Sequence, residues 1–208
     1  PGKKMFDREA LAADARFLVE RVESHHPKPY DGYGGRLALH EWLERLIADL
    51  PERATAEAFY RDATVLVSAL ADAHSRLHPP DGDGDDRRLP LSFRAVGDGL
   101  YVDSVADESL VDLLGARLRS VDGVAVETLA DRVASLYGVE NDYHGLSWTG
   151  RAVAARTPLA WLLDGEVPTT VEVTVEHSDE TTSTRGLSPL PDGVDPVAEP
   201  DATFPHPN

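Results

Sequence analysis

The chain has 208 residues, a net charge of −17 from 37 acidic and 20 basic side chains, and no cysteine. That length holds one large domain or two small ones with a sizeable core. Without cysteine there is no disulfide framework and no thiolate chemistry, and the negative charge would be repelled by nucleic acid and by anionic membrane surfaces. Hydrophobic residues make up 41% of the sequence, which is the composition of a globular protein. Lysine occurs only at Lys3, Lys4 and Lys28, and every other basic residue is arginine. Much acid and little lysine is similar to the composition of proteins from halophilic archaea, where molar salt screens repulsion to within ~3 Å; an ordinary acidic protein is the alternative. Asp7, Arg8 and Glu9 break any apolar targeting segment after Lys3 and Lys4. The uncharged run 63–71 is too short to span a bilayer. The expectation is a cytoplasmic protein starting at Met5, with residues 1–4 added ahead of it.

In chain order, residues 8–25 read as an amphipathic helix with Leu11, Ala15, Leu18 and Val22 on one face, stopped by Pro27 and Pro29. Residues 31–35, Asp-Gly-Tyr-Gly-Gly, make a turn. They lack the Gly-Lys-Ser/Thr ending and the preceding strand of a phosphate loop. Residues 36–50 give a second helix, with Leu39, Trp42, Leu43, Leu46, Ile47 and Leu50 inward and Pro51 as its stop. Thr55 is suited to cap a third helix over about 56–74. Three such helices must bury their stripes on one another, which predicts a helical subdomain over 1–78.

Residues 79–88 form a linker, Pro-Pro-Asp-Gly-Asp-Gly-Asp-Asp-Arg-Arg; the alternate aspartates lack the twelfth-position glutamate of a calcium loop. The pattern then alternates over 89–96 and 100–105, with Asp98-Gly99 between, as in a β-hairpin. Residues 116–121 give another short strand before Asp122-Gly123. Residues 127–137 read as a helix with Leu129, Val133 and Leu136 inward. Residues 141–163 mix helix and loop, with Trp148 and Trp161 suited to packing. Val171, Val173 and Val175 alternate with Glu172, Thr174 and Glu176 in a strand over 169–177. Residues 189–208 carry six prolines, four acids and no lysine or arginine, the composition of a linker or disordered tail beginning near 188.

The stretch 70–77, Leu-Ala-Asp-Ala-His-Ser-Arg-Leu, ends the third helix before Pro79-Pro80. Phe59, Ala63, Leu66, Leu70 and His74 share one face at a 3.6-residue period, which predicts a buried His74. A histidine there is either a satisfied core residue or a proton carrier aimed at a cleft.

Asp72-Ala-His74-Ser75-Arg-Leu after a long apolar helix resembles the Asp-Gly-His-Thr type motif of tricorn-core and C-terminal-processing (tail-specific) serine peptidases. His26-Pro27-x-x-Tyr30 resembles an element that closes the first helix in many of them. Residues 114–126, Leu-Gly-Ala-Arg-Leu-Arg-Ser-Val-Asp-Gly-Val-Ala-Val, resemble a segment of their PDZ-like region. The three motifs occur in the family's order, and the resemblance covers roughly residues 7–187. It implies an α+β fold: an N-terminal three-helix cap, then a small PDZ-like β-rich domain over 89–187 with one or two helices. It also implies His74 as the candidate catalytic residue, a general base. The family's nucleophilic serine and supporting glutamate belong to a further domain, and in the bacterial processing enzymes that domain supplies a lysine base. No Gly-x-Ser-x-Gly is present here. The tricorn pattern has a serine before its histidine, where this chain has Ala73 and places Ser75 after it.

Three functions follow, in order of preference. The first is the N-terminal region of a serine endopeptidase, inactive by itself and completed by a catalytic serine domain not in this chain. The second is a stand-alone module that captures a peptide or an unfolded protein's C-terminus by strand addition without cutting; a closed, purely structural groove is its alternative. The third is a metal site built from Asp72, His74 and His78, which lacks a firm third ligand beside Pro79. No cofactor and no resident metal is therefore expected.

Overall fold

The computed structural model describes residues 4–78, 87–165 and 169–190, together with Val194 and Val197. The fold is mixed α/β and the chain divides into two compact units: Pro1–Gly84 with Ala134–Glu140, and Asp85–Val133 with Asn141–Asn208. The expected linker over 79–88 and the expected tail after 188 fall largely outside the described residues.

The first unit is built on helices α1 (Arg8–His25), α2 (Arg36–Asp49) and α3 (Ala56–Ser68). Asp7 caps α1 by accepting the Ala10 N–H at 2.9 Å. Thr55 caps α3 by accepting the Ala58 N–H at 3.2 Å, as its position predicts. Ala15 and Val19 of α1, Leu39 and Leu43 of α2, and Leu66, Val67 and Leu70 make one buried cluster. Leu11, Ala12, Leu50 and Ala54 make a second, smaller one. A short ribbon not expected from the sequence, β1 (Met5–Asp7) against β2 (Arg53–Thr55), ties the two helix starts together. Its three-residue strands are too short for an alternation signal.

The predicted third helix is six residues too long, because α3 stops at Ser68. Ser68 Oγ donates to the Val65 carbonyl and to the Ser135 carbonyl, each at 2.8 Å. Ala71 adopts a left-handed φ of 52°. The Asp72 side chain then captures the His74 N–H, a local bond that competes with helical pairing. Gly32, in a 3-10 turn over Asp31–Tyr33, lies against this break: a Cβ there would sit 2.0 Å from the Ala69 carbonyl oxygen. The glycine-rich turn is thus a packing device for the end of α3.

The second unit contains an antiparallel sheet in the order β3 (Leu91–Val96), β4 (Gly99–Val105), β5 (Arg117–Val121), β7 (Val171–Glu176), β8 (Thr182–Leu187). The two-residue strand β6 (Val124–Ala125) pairs with β5 across Asp122-Gly123, both at positive φ, the geometry of a two-residue hairpin turn. β8 was not legible as a strand because Thr182–Arg185 offer no apolar alternation. Helix α4 (Val126–Leu136), whose residues from Ala134 on belong to the first unit, buries Leu129, Val133 and Leu136 as its spacing predicts, and Val126 in addition. The mixed segment over 141–163 resolves into α5 (Asp142–Ala154) and α6 (Arg156–Leu162). Gly150 of α5 approaches the side chains of Phe93 and Leu100. Leu190 pairs with Arg88 through two backbone hydrogen bonds of 2.8 and 2.7 Å, so the segment after β8 begins docked on its unit.

Candidate functional site

In the first unit His26, His74 and Ser75 converge on Asp72, in the irregular segment between α3 and Pro79. Asp72 Oδ2 accepts from Ser75 Oγ at 2.6 Å and from His26 Nε2 at 3.0 Å. Asp72 Oδ1 accepts the His74 N–H at 3.1 Å and faces His74 Nδ1 at 3.3 Å. The Ser75 hydroxyl first, then the His74 amide and the two imidazoles, hold its carboxyl well below the usual carboxylate range. It is an anion throughout the neutral range.

His26 and His74 stand in opposite surroundings. The His26 side chain is only 12% exposed, and its Nδ1 accepts the Lys28 N–H at 3.2 Å. Its proton therefore lies on Nε2 and is given to Asp72. The His74 side chain is 90% exposed. The sequence expectation of a buried His74 is overturned: the residue lies six positions past the end of the helix whose stripe it was meant to extend. Its Nδ1 faces two acceptors, Asp72 Oδ1 and, at 3.9 Å, Glu140 Oε1. Two acceptors on that side favour a proton on Nδ1, and Nε2 has no hydrogen-bond partner among the described residues.

Glu140 reaches this site from the far end of α4. It accepts the Ala73 N–H at 3.3 Å. Gly138 makes the approach possible, since a Cβ there would lie 2.6 Å from the Asp72 carbonyl oxygen. Beside His74 runs a groove of about 570 Å³. Its lining mixes apolar side chains such as Leu18, Val22 and Leu70 with polar ones that include Arg21, His26, Asp72, His74 and Ser75. An exposed imidazole that lines a groove can accept a proton from a group bound there.

No family model matches the sequence, and no curated protein matches it either. Solved structures do. Mature CPAF, a chlamydial tail-specific serine protease, in complex with lactacystin aligns with a TM-score of 0.64 at 17% identity, over 91% of this chain and 36% of that one. A serine-to-alanine mutant of CPAF aligns with a TM-score of 0.62 at 17% identity, over 89% and 35%. The fold is similar to that of a region of CPAF. This chain spans about a third of the length of those structures.

The structure brings Asp72, His74 and Ser75 together with His26 of the His26-Pro27-x-x-Tyr30 motif. It separates His78, which lines a different, apolar groove with Phe6, Leu11 and Phe59. The metal trio considered from sequence is therefore not assembled. Tyr30 of the same motif donates to Glu23, an internal hub that also accepts from Arg36 and His40. Sequence reasoning missed Glu140, which lies 67 positions from its partner Ala73 and carries no local signal. The close pair His26 and Asp72 was visible only as two halves of separate motifs.

Proposed function

We propose that this chain is the N-terminal cap and PDZ-like region of a serine endopeptidase of the tricorn/C-terminal-processing type, in a cytoplasm of high salt. His74 is the general base and Asp72 its positioning residue. The nucleophilic serine belongs to a domain outside this chain, and the substrate is a peptide or the C-terminus of an unfolded protein.

One observation carries this reading: His74 Nδ1 is directed at an ionised Asp72, and its Nε2 lone pair is left open beside a groove. An aspartate that holds the imidazole in this tautomer and stabilises the imidazolium formed later is what a serine hydroxyl requires of its base. The serine proton would pass to Nε2, and His26 and Ser75 would hold Asp72 in place through its other oxygen. The order of the three sequence motifs and the shared fold with part of CPAF support the assignment.

The test is made in the full-length gene product. The reading frame beyond Asn208 is expected to encode a domain with a nucleophilic serine; a stop codon there would leave a peptide-binding module. In the full-length enzyme, His74→Ala is expected to lower kcat by roughly 10³-fold or more with its melting curve unchanged. Unchanged turnover would remove His74 from the reaction.

A further inference from the structure

Three ligand-type atoms meet on the exposed side of Asp72. They are Asp72 Oδ1, His74 Nδ1 and a Glu140 carboxylate oxygen, all within 4.8 Å of one another. His74 Nδ1 lies 3.3 Å from the first and 3.9 Å from the third. Bonds of about 2.1 Å at tetrahedral angles place zinc ligands ~3.4 Å apart, so the sides of this triangle must shorten by at most ~1.4 Å to close around an ion. An imidazole nitrogen with two carboxylates suits zinc rather than calcium or magnesium, which prefer oxygen alone. The other Asp72 oxygen is held by His26 Nε2 and Ser75 Oγ, the kind of outer contact that orients a metal-binding carboxylate.

We propose that Asp72, His74 and Glu140 form a regulatory zinc site that switches His74 off. The switch rests on the base role argued above. In the metal-free chain the Nδ1 proton faces Asp72 and the Nε2 lone pair is open. Zinc takes the Nδ1 lone pair, and through solvent exchange the ring proton moves to Nε2. The imidazole stays neutral but then donates at Nε2 and cannot accept a serine's proton. The same Asp72 oxygen that favours the active tautomer becomes a ligand in the inactive one. Gly138 brings Glu140 within reach and so sets the affinity.

Binding is read on the 208-residue chain by calorimetric titration with zinc chloride, and by the visible absorption of cobalt(II) in its place. One ion per chain is expected. Glu140→Gln and His74→Ala should each weaken binding about tenfold or more, with melting curves in EDTA like the parent's. Absence of binding below millimolar zinc, or affinity equal to the parent's in either variant, would overturn the site. This measurement needs no peptidase activity, so it fails or succeeds independently of the proposed function. In the full-length enzyme, zinc should inhibit, and Glu140→Gln should need about tenfold more zinc, each rate taken relative to the same variant in EDTA. Equal zinc sensitivity in both would refute the switch.

Discussion

The two units satisfy their charges in opposite ways. In the first, single carboxylates serve as hubs: Asp72, in irregular backbone, gathers Ser75, His26 and His74, and Glu23, near the end of α1, gathers Tyr30 of the following loop with Arg36 and His40 of α2. In the second, charges pair across neighbouring strands: Arg119 of β5 holds Glu176 of β7 through two bonds of 3.0 and 2.7 Å, and Arg94 of β3 meets Asp103 of β4. A strand ladder already fixes its backbone, so a cross-strand ion pair adds little. A loop has no such ladder, and a shared carboxylate supplies the bonds that order it. Reactive groups can then be held on loops by a packed scaffold beneath.

The largest expected difference lies at glycines. Gly32→Ala would drive a Cβ against backbone, 2.0 Å from the Ala69 carbonyl oxygen. It should cost the first unit about 3 kcal/mol or more in a urea melt. Gly150→Ala in α5 meets only the Leu100 and Phe93 neighbourhood at 3.2 Å or beyond and gains helix propensity. It should stay within about 1 kcal/mol of the parent. Equal costs would mean that the loop after α3 is no more tightly built than the sheet face.

A smaller effect is expected at the hubs. Asp72→Ala leaves the His26 Nε2–H without its acceptor in a half-buried position and should cost about 1–3 kcal/mol. Glu176→Gln, between side chains about a third exposed, should shift the melting temperature by no more than the scatter between repeats. A large loss at Glu176 would break the contrast.

The smallest effect is a pH dependence. The hydrogen bond from His40, then those from Arg36 and Tyr30, lower the Glu23 carboxyl below its usual range. A carboxylate lowered in the fold stabilises it above the unfolded value, near pH 4.3, and loses that contribution as pH falls. The melting-temperature gap between the parent and Glu23→Gln should therefore be constant from pH 7 to 5 and close below about pH 4. A gap that widens on acidification would show that the hub does not favour the ionised form.

Periodicity was enough to find α1, α2, α4 and the strands β3, β4, β5 and β7, because each buries a face whose spacing is that of its own backbone. The cap at Thr55 and the turn at Asp122-Gly123 were equally local. The end of α3 was not. The apolar period runs on through Leu70 to His74, but Gly32 packing on Ala69 and the Ser68 bond to Ser135 are contacts between segments far apart in sequence. They end the helix at Ser68, and that end turns His74 from a buried stripe position into an exposed imidazole. Glu140 is the same case: its place beside Asp72 depends on Gly138 meeting distant backbone. Local pattern determined the longer helices and the alternating strands, whereas the surroundings of Asp72 and His74 were decided by tertiary contacts, because a side chain's partners depend on where the chain returns.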